Sequence, residues 1–191
     1  MNIPMLLTYI RILLIPAIVI TFYLPGRMGH GLAAFIFVFA ALTDWFDGYL
    51  ARNLNQTTKF GMFLDPVADK LIISVALVLI VAEVGVVYLT IPAAVIIGRE
   101  IVISALREWM AEIGKKTSVA VSLVAKIKTT LQMVAVGVLL YYPKSGNKFF
   151  ICGIILLYLA VAMTLWSMYM YIKTTWPDLQ RDRLSDIYMR E

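Results

Sequence analysis

Charge is what this sequence has least of. Only 15% of its 191 residues are Asp, Glu, Lys or Arg, against 61% hydrophobic, and the mean hydropathy is +0.85. Soluble domains carry about 25% charged and about 45–50% apolar residues, so the shortage has the direction and size of an integral membrane protein. Cysteine occurs once, at Cys152, which excludes an internal disulfide and a cysteine-built zinc site. Histidine also occurs once, at His30 in a short hydrophilic connection, so a histidine cluster cannot hold a metal. Repeats and low-complexity tracts are missing too. The net charge of +5 would suggest nucleic acid in a polar chain. In one this apolar it fits lipid headgroups or a phosphorylated substrate, and no nucleic acid is expected.

What is present is hydrophobic length. Apolar stretches run over 4–24, 31–52, 62–82, 88–112, 119–142 and 149–172, separated by breaks rich in Gly, Pro, Asn, Ser or charge. Each is long enough to cross about 30 Å of hydrocarbon as a helix. The expected fold is therefore all-α, with six transmembrane helices over residues 1–175 and a tail over 176–191. The first stretch has no basic leader and no small-residue cleavage site before Pro25, so it reads as a retained span. Basic residues set the orientation. One side has Arg52, Lys59, Lys115, Lys116, Lys173, Arg181, Arg183 and Arg190, eight in all; the other has Arg27, Lys144 and Lys148, three. Positive residues favour the cytoplasm, which places both termini inside.

The acids are concentrated where the chain returns to that face. "DWFDGYLARNLNQTTKFGMFLDPVADK", residues 44–70, holds four of the twelve Asp and Glu. On a helix, Asp44, Asp47, Gly48, Ala51 and Arg52 share one face, and Gly61, Asp65 and Asp69 share another. A short loop folds these faces together at the edge of the bilayer. Four carboxylates so placed repel one another unless hard divalent cations bridge them, and oxygen ligands select Mg2+, Mn2+ or Ca2+ over zinc. Gly48, Ala51 and Gly61 leave a groove for a flat ring or a phosphate. Arg52 stands ready to neutralise an anion. Pro66 lies either in a first helical turn or at a kink.

The motif D-x-x-D-G-x-x-A-R, eight residues, then G-x-x-x-D-x-x-x-D, is present without a departure over residues 44–69. It resembles the signature of the CDP-alcohol phosphatidyltransferases, membrane enzymes of phospholipid synthesis. The resemblance implies a six-helix membrane domain, usually a homodimer, with a polar cavity open to the cytoplasm. It implies Asp44, Asp47, Asp65 and Asp69 as ligands of Mg2+ or Mn2+, two ions in all. It further implies Asp69 as the base for the acceptor hydroxyl, and Asp44, Gly48, Ala51, Arg52 and Gly61 as CDP contacts. Two metals suit the chemistry, because breaking a diphosphate requires charge to be neutralised on both fragments.

A second set of charges bears on the acceptor. "GREIVISALREW" repeats Arg-Glu at a spacing of eight, and "AKIKTT" brings two lysines into the next span. Arg99 lies roughly 20 Å from the end of its helix, a depth that demands a partner or a wet cavity. Arg99, Arg107, Lys126 and Lys128 can ring a pocket for an anionic acceptor; interhelical pairing with Glu100 and Glu108, and snorkelling of the lysines, is the other reading. The stretches "NIPMLLTYIRILLIP", "REIVISALREW" and "KIKTTLQM" are similar to family members that use sn-glycerol 3-phosphate. That similarity implies transfer of the phosphatidyl group from CDP-diacylglycerol with release of CMP, at the cytoplasmic side of a bacterial inner membrane. It also brings Asn2, Thr8 and Arg11 toward the same cavity. Inositol phosphate or phosphatidylglycerol as acceptor stays open, as does a divalent-cation transporter. The transporter is disfavoured because the acids lie at one membrane edge and the halves show no symmetry.

Overall fold

A computed structural model describes the backbone of residues 3–54, 59–112, 123–144 and 146–188, and the side chains of residues 6–43, 61, 64–112, 127–144 and 146–176. Six helices follow one another: α1 Ile3–Phe22, α2 Arg27–Leu54, α3 Lys59–Val84, α4 Val87–Glu112, α5 Leu123–Tyr141 and α6 Lys148–Tyr188. There is no strand among the described residues. Each helix grows from one of the apolar stretches, because a chain that cannot offer its peptide groups to water must pair them internally.

The bundle is tied together around α1, α3 and α5. α1 packs on α2 and α3, α5 packs on α6, α2 and α3, and α4 lies against α3 and α6. Ile18, Phe37, Ala76, Leu77, Ile80, Leu89, Ile96, Leu139 and Leu157 meet in the centre. Small side chains set the closest approaches, with Ala33 and Ala40 on α2, Ala76 on α3 and Ala135 on α5 all fully buried. At the α5–α6 contact a Cβ on Gly153 would stand 2.8 Å from Leu139 Cγ. The top of α4 is pinned to α6 by Tyr158, whose hydroxyl donates to the Tyr88 carbonyl at 2.8 Å.

The polarity of the bundle is inverted relative to a soluble protein. Leu13, Ile20, Phe35, Val78, Ile91, Ile101, Ile151 and Trp166 face outward, while Thr8, Arg11, Arg99, Lys128, Gln132 and Thr164 are buried. Hydrocarbon outside and charge inside is the arrangement lipid favours. Among the described residues, α4 and the Lys148–Trp176 part of α6 are each long and apolar enough to cross a membrane. The apolar parts of α1, α2 and α5, at Leu6–Phe22, Arg27–Thr43 and Ile127–Tyr141, are shorter.

The start of α2 and the end of α6 depart from the sequence reading in ways that matter for the fold. α2 begins at Arg27, four residues before the expected start, so His30 stands in its first turns and not in a connection. The cause is the tightness of the turn. Gly29 comes so near the end of α1 that a Cβ there would meet the Leu24 carbonyl oxygen at 2.3 Å, and Gly29 N–H donates to Gly26 O at 3.3 Å. α6 continues past residue 172 to Tyr188, since hydropathy marks where lipid ends and not where a helix must end. Pro66 proves to be inside α3, seven residues beyond its first, Lys59. Between α3 and α4 only two residues intervene, with Gly85 at φ 64° reversing the chain.

Candidate functional site

Thr8 and Arg11 project from α1 three residues apart, and Asp65 and Asp69 from α3 four residues apart, so each pair lines one helix face. The two faces meet. The Thr8 hydroxyl donates to Asp65 Oδ1, and the Arg11 guanidinium donates to Asp69 Oδ1 in an ion pair. Both numbers rise together, as they must for parallel helices, so the contacts form two rungs between α1 and α3. Thr8 and Arg11 are each 1% exposed, whereas the Asp69 side chain is 35% exposed. The donors are therefore locked in the bundle, and the carboxylates keep an open flank.

Asp44, Asp47, Gly48, Ala51 and Arg52 fall on the last turns of α2, where the helical backbone keeps them on one side; their side chains lie outside the described residues. So does the side chain of Lys126, and Asn2 lies outside altogether. Gly61 is buried near the start of α3. Among the described residues no group of three or more Asp, Glu, His or Cys is gathered as a metal cage. The two described carboxylates nonetheless offer the hard oxygen donors that Mg2+ and Mn2+ prefer, one turn apart and partly open.

A second polar cluster joins α4, α5 and α6. Glu100 Oε1 accepts from Arg99 Nη1 at 2.5 Å and from Lys128 Nζ at 3.4 Å. Arg99 Nη2 also reaches Ser167 Oγ at 3.5 Å. The two cations are 8% and 5% exposed and Glu100 25%, so one carboxylate serves two nearly buried positive charges. Around them, Arg99 Nε, Gln132 Oε1 and Thr164 Oγ1 are buried without a hydrogen-bond partner. Gln132 is one turn beyond Lys128 on α5, and Thr164 is one turn before Ser167 on α6. A buried polar atom left unpaired costs about 1–3 kcal/mol, which marks the cluster as suited to a polar ligand or ordered water. Arg107 is placed differently. It lies about 12 Å farther along α4, exposed, with its guanidinium 5.7 Å from the Tyr171 ring centroid.

Sequence reasoning put Arg99 and Lys128 in one neighbourhood and gave pairing of Arg99 with Glu100 as the other reading, a pair the structure shows. It did not foresee the link from Glu100 to Lys128, and it passed over Gln132, Thr164 and Ser167. The usable signal was the rarity of polar side chains inside apolar runs, which applies to Gln132 as much as to the lysines.

Residues 1–166 match the CDP-alcohol phosphatidyltransferase family, and the chain belongs to it. Within that class it is similar to bacterial proteins named CDP-diacylglycerol--glycerol-3-phosphate 3-phosphatidyltransferase. The one from Escherichia coli K12 is 53% identical over 93% of this chain and 97% of its own. The one from Pseudomonas fluorescens is 51% identical over 100% and 98%, and that from Yersinia enterocolitica 52% identical over 94% and 97%.

Proposed function

We propose that this protein transfers the phosphatidyl group of CDP-diacylglycerol to sn-glycerol 3-phosphate, giving phosphatidylglycerophosphate and CMP. Near-complete coverage of relatives that bear the name of this activity supports the reaction. The observation that carries the acceptor assignment is the excess of buried positive charge at Glu100, where Arg99 and Lys128 outnumber the one carboxylate they share. A phosphate monoester balances that excess; a serine or a choline does not.

In this reading, Asp44, Asp47 and Asp65 would be the principal ligands of Mg2+ or Mn2+, with Asp69 touching the second ion. The ions supply charge neutralisation on the diphosphate. Thr8 fixes Asp65 from the α1 side, and Arg11 fixes Asp69 in the same way. Arg11 holds Asp69 through Oδ1, and the carboxylate receives the proton from a primary hydroxyl of glycerol 3-phosphate. The hydroxyl oxygen forms a bond to the phosphatidyl phosphorus. The bond from that phosphorus to the CMP oxygen breaks, and CMP leaves with the electron pair. Arg99 and Lys128 hold the acceptor phosphate meanwhile. Gly48, Ala51, Arg52 and Gly61 form the CDP side of the groove, and Arg107 and Lys126 complete the basic approach.

The same reading has six spans with both termini in the cytoplasm of a bacterial inner membrane, because the eight-to-three bias of basic residues falls on the side of the aspartate motif. A homodimer is the assembly that the family likeness supports. An acceptor panel decides the function. Purified protein with CDP-diacylglycerol and Mg2+ should release CMP with glycerol 3-phosphate, and not with serine, inositol phosphate or phosphatidylglycerol. CMP release with another acceptor alone, or Mn2+ passage into proteoliposomes without any CMP, overturns the assignment.

A further inference from the structure

We propose that the end of the bundle remote from the aspartates carries a seat for a phospholipid headgroup, built from Arg27, His30, Glu83 and Lys144. A cavity of 530 Å³ opens there, lined by these four side chains and by Tyr141 and Tyr142. Its place follows from helix length. Phe22, also in its wall, is eleven residues beyond Arg11 on α1, and Glu83 is fourteen beyond Asp69 on α3, so roughly 16–21 Å of helix separates it from the carboxylates. With the bundle spanning the membrane as proposed above, the cavity faces the opposite leaflet. Tyrosines at its rim are the side chains that settle at headgroup level.

The chemistry selects the ligand. Arg27 opens α2 and Lys144 belongs to the α5–α6 link, so two cations converge from separate parts of the chain; Glu83, near the end of α3, is the acid in the wall. The two positive charges face the negative phosphodiester, which leaves Glu83 to face the positive outer end of the headgroup. The carboxylate then has a hydrogen-bond donor to receive, and the outer end of a headgroup provides it as an ammonium. His30 supplies the second observation. Its ring packs edge-on against Phe22, with centroids 4.9 Å apart and planes at 74°, and its Nδ1 is buried without a hydrogen-bond partner. A ligand group or water that reached this nitrogen would relieve its unmet hydrogen bond. The volume lies within the range of small-molecule sites, about 300–1,000 Å³, and exceeds what a free phosphate fills.

The phosphate oxyanion is common to a lipid and to inorganic phosphate, and the experiment separates them. Delipidated full-length protein in detergent is titrated with phosphatidylethanolamine, with phosphatidylcholine and with inorganic phosphate, and bound ligand is counted by native mass spectrometry. Wild-type protein should take one phosphatidylethanolamine saturably, with at least tenfold preference over phosphatidylcholine, which lacks the donor for Glu83. The R27A/K144A variant should bind it at least tenfold more weakly while CMP release stays at the wild-type rate, which reports an intact bundle. E83Q should lose the preference between the two lipids. Equal lipid affinity in wild type and R27A/K144A, an unaltered preference in E83Q, or displacement of the lipid by millimolar phosphate would each overturn the proposal.

Discussion

Exchange of Arg11 for Met tests the α1–α3 ladder most directly. The guanidinium is 1% exposed and its partner Asp69 35%. Removing one member of a fully buried ion pair costs about 3–5 kcal/mol, and a hydrogen bond to a charged group contributes about 1.5–3 kcal/mol. Because Asp69 retains a third of its surface, the lower figure applies, and about 2 kcal/mol is expected. For a chain of this size each kcal/mol moves Tm by about 2–4 °C, so R11M should melt roughly 4–8 °C below wild type. The melt is to be followed in detergent without divalent ions, so that only protein contacts are read. D69N removes the charge that Arg11 faces but also one of the mutually repelling carboxylates, so it should lose less than R11M. The double variant should fall no further than the worse single one, because each single change already breaks the same contact. Losses that add to within about 0.5 kcal/mol in the double variant would refute the pairing.

Four other outcomes follow from the geometry. D69N should abolish CMP release and leave much of the CDP-diacylglycerol binding, which calorimetry would read; lost binding with retained turnover contradicts its part as base. K128A should raise KM for glycerol 3-phosphate by at least tenfold with a smaller change in kcat, the effect of losing about 1.5 kcal/mol of charged hydrogen bonding. E100Q leaves Arg99 and Lys128 facing each other without their carboxylate, so its Tm should drop by about 4–8 °C. Glycerol 3-phosphate should then raise the Tm of E100Q more than that of wild type, and equal shifts would count against the basic pocket. G29A should lower Tm by several degrees, because its Cβ would meet two backbone oxygens, at 2.3 Å on Leu24 and 2.8 Å on Thr21; an unchanged melt would place the α1–α2 turn differently.

The helices were legible because lipid imposes a simple rule, a long apolar run with its peptide groups paired internally. The same rule misplaced the start of α2. Arg27 to Gly31 reads as a polar, glycine-rich connection, yet Gly29 is there to let the new helix start against the end of α1. Hydropathy is also silent on helix ends in water, where Leu179, Gln180, Arg181 and Arg183 favour helix by propensity alone. At the site, the spacing of Asp65 and Asp69 was readable since both lie on one helix. Their partners were not, because Thr8 and Arg11 are more than fifty positions away, and only family likeness pointed to them. Glu100 is the sharper case. Consecutive residues on a helix diverge by about 100°, so pairing of Arg99 with Glu100 stood only as one of two readings, and the third member was hidden. Lys128 on another helix shows that the carboxylate is a hub.

The two buried clusters differ in the sign of what they leave uncompensated. Between α1 and α3, Asp65 and Asp69 exceed Arg11 by one negative charge. Between α4 and α5, Arg99 and Lys128 exceed Glu100 by one positive charge. In a medium of low dielectric neither imbalance is cheap, and water cannot screen it as it does at a soluble surface. Under the proposed function, each cluster would take a ligand of the opposite sign, divalent cations at the first and a phosphate monoester at the second.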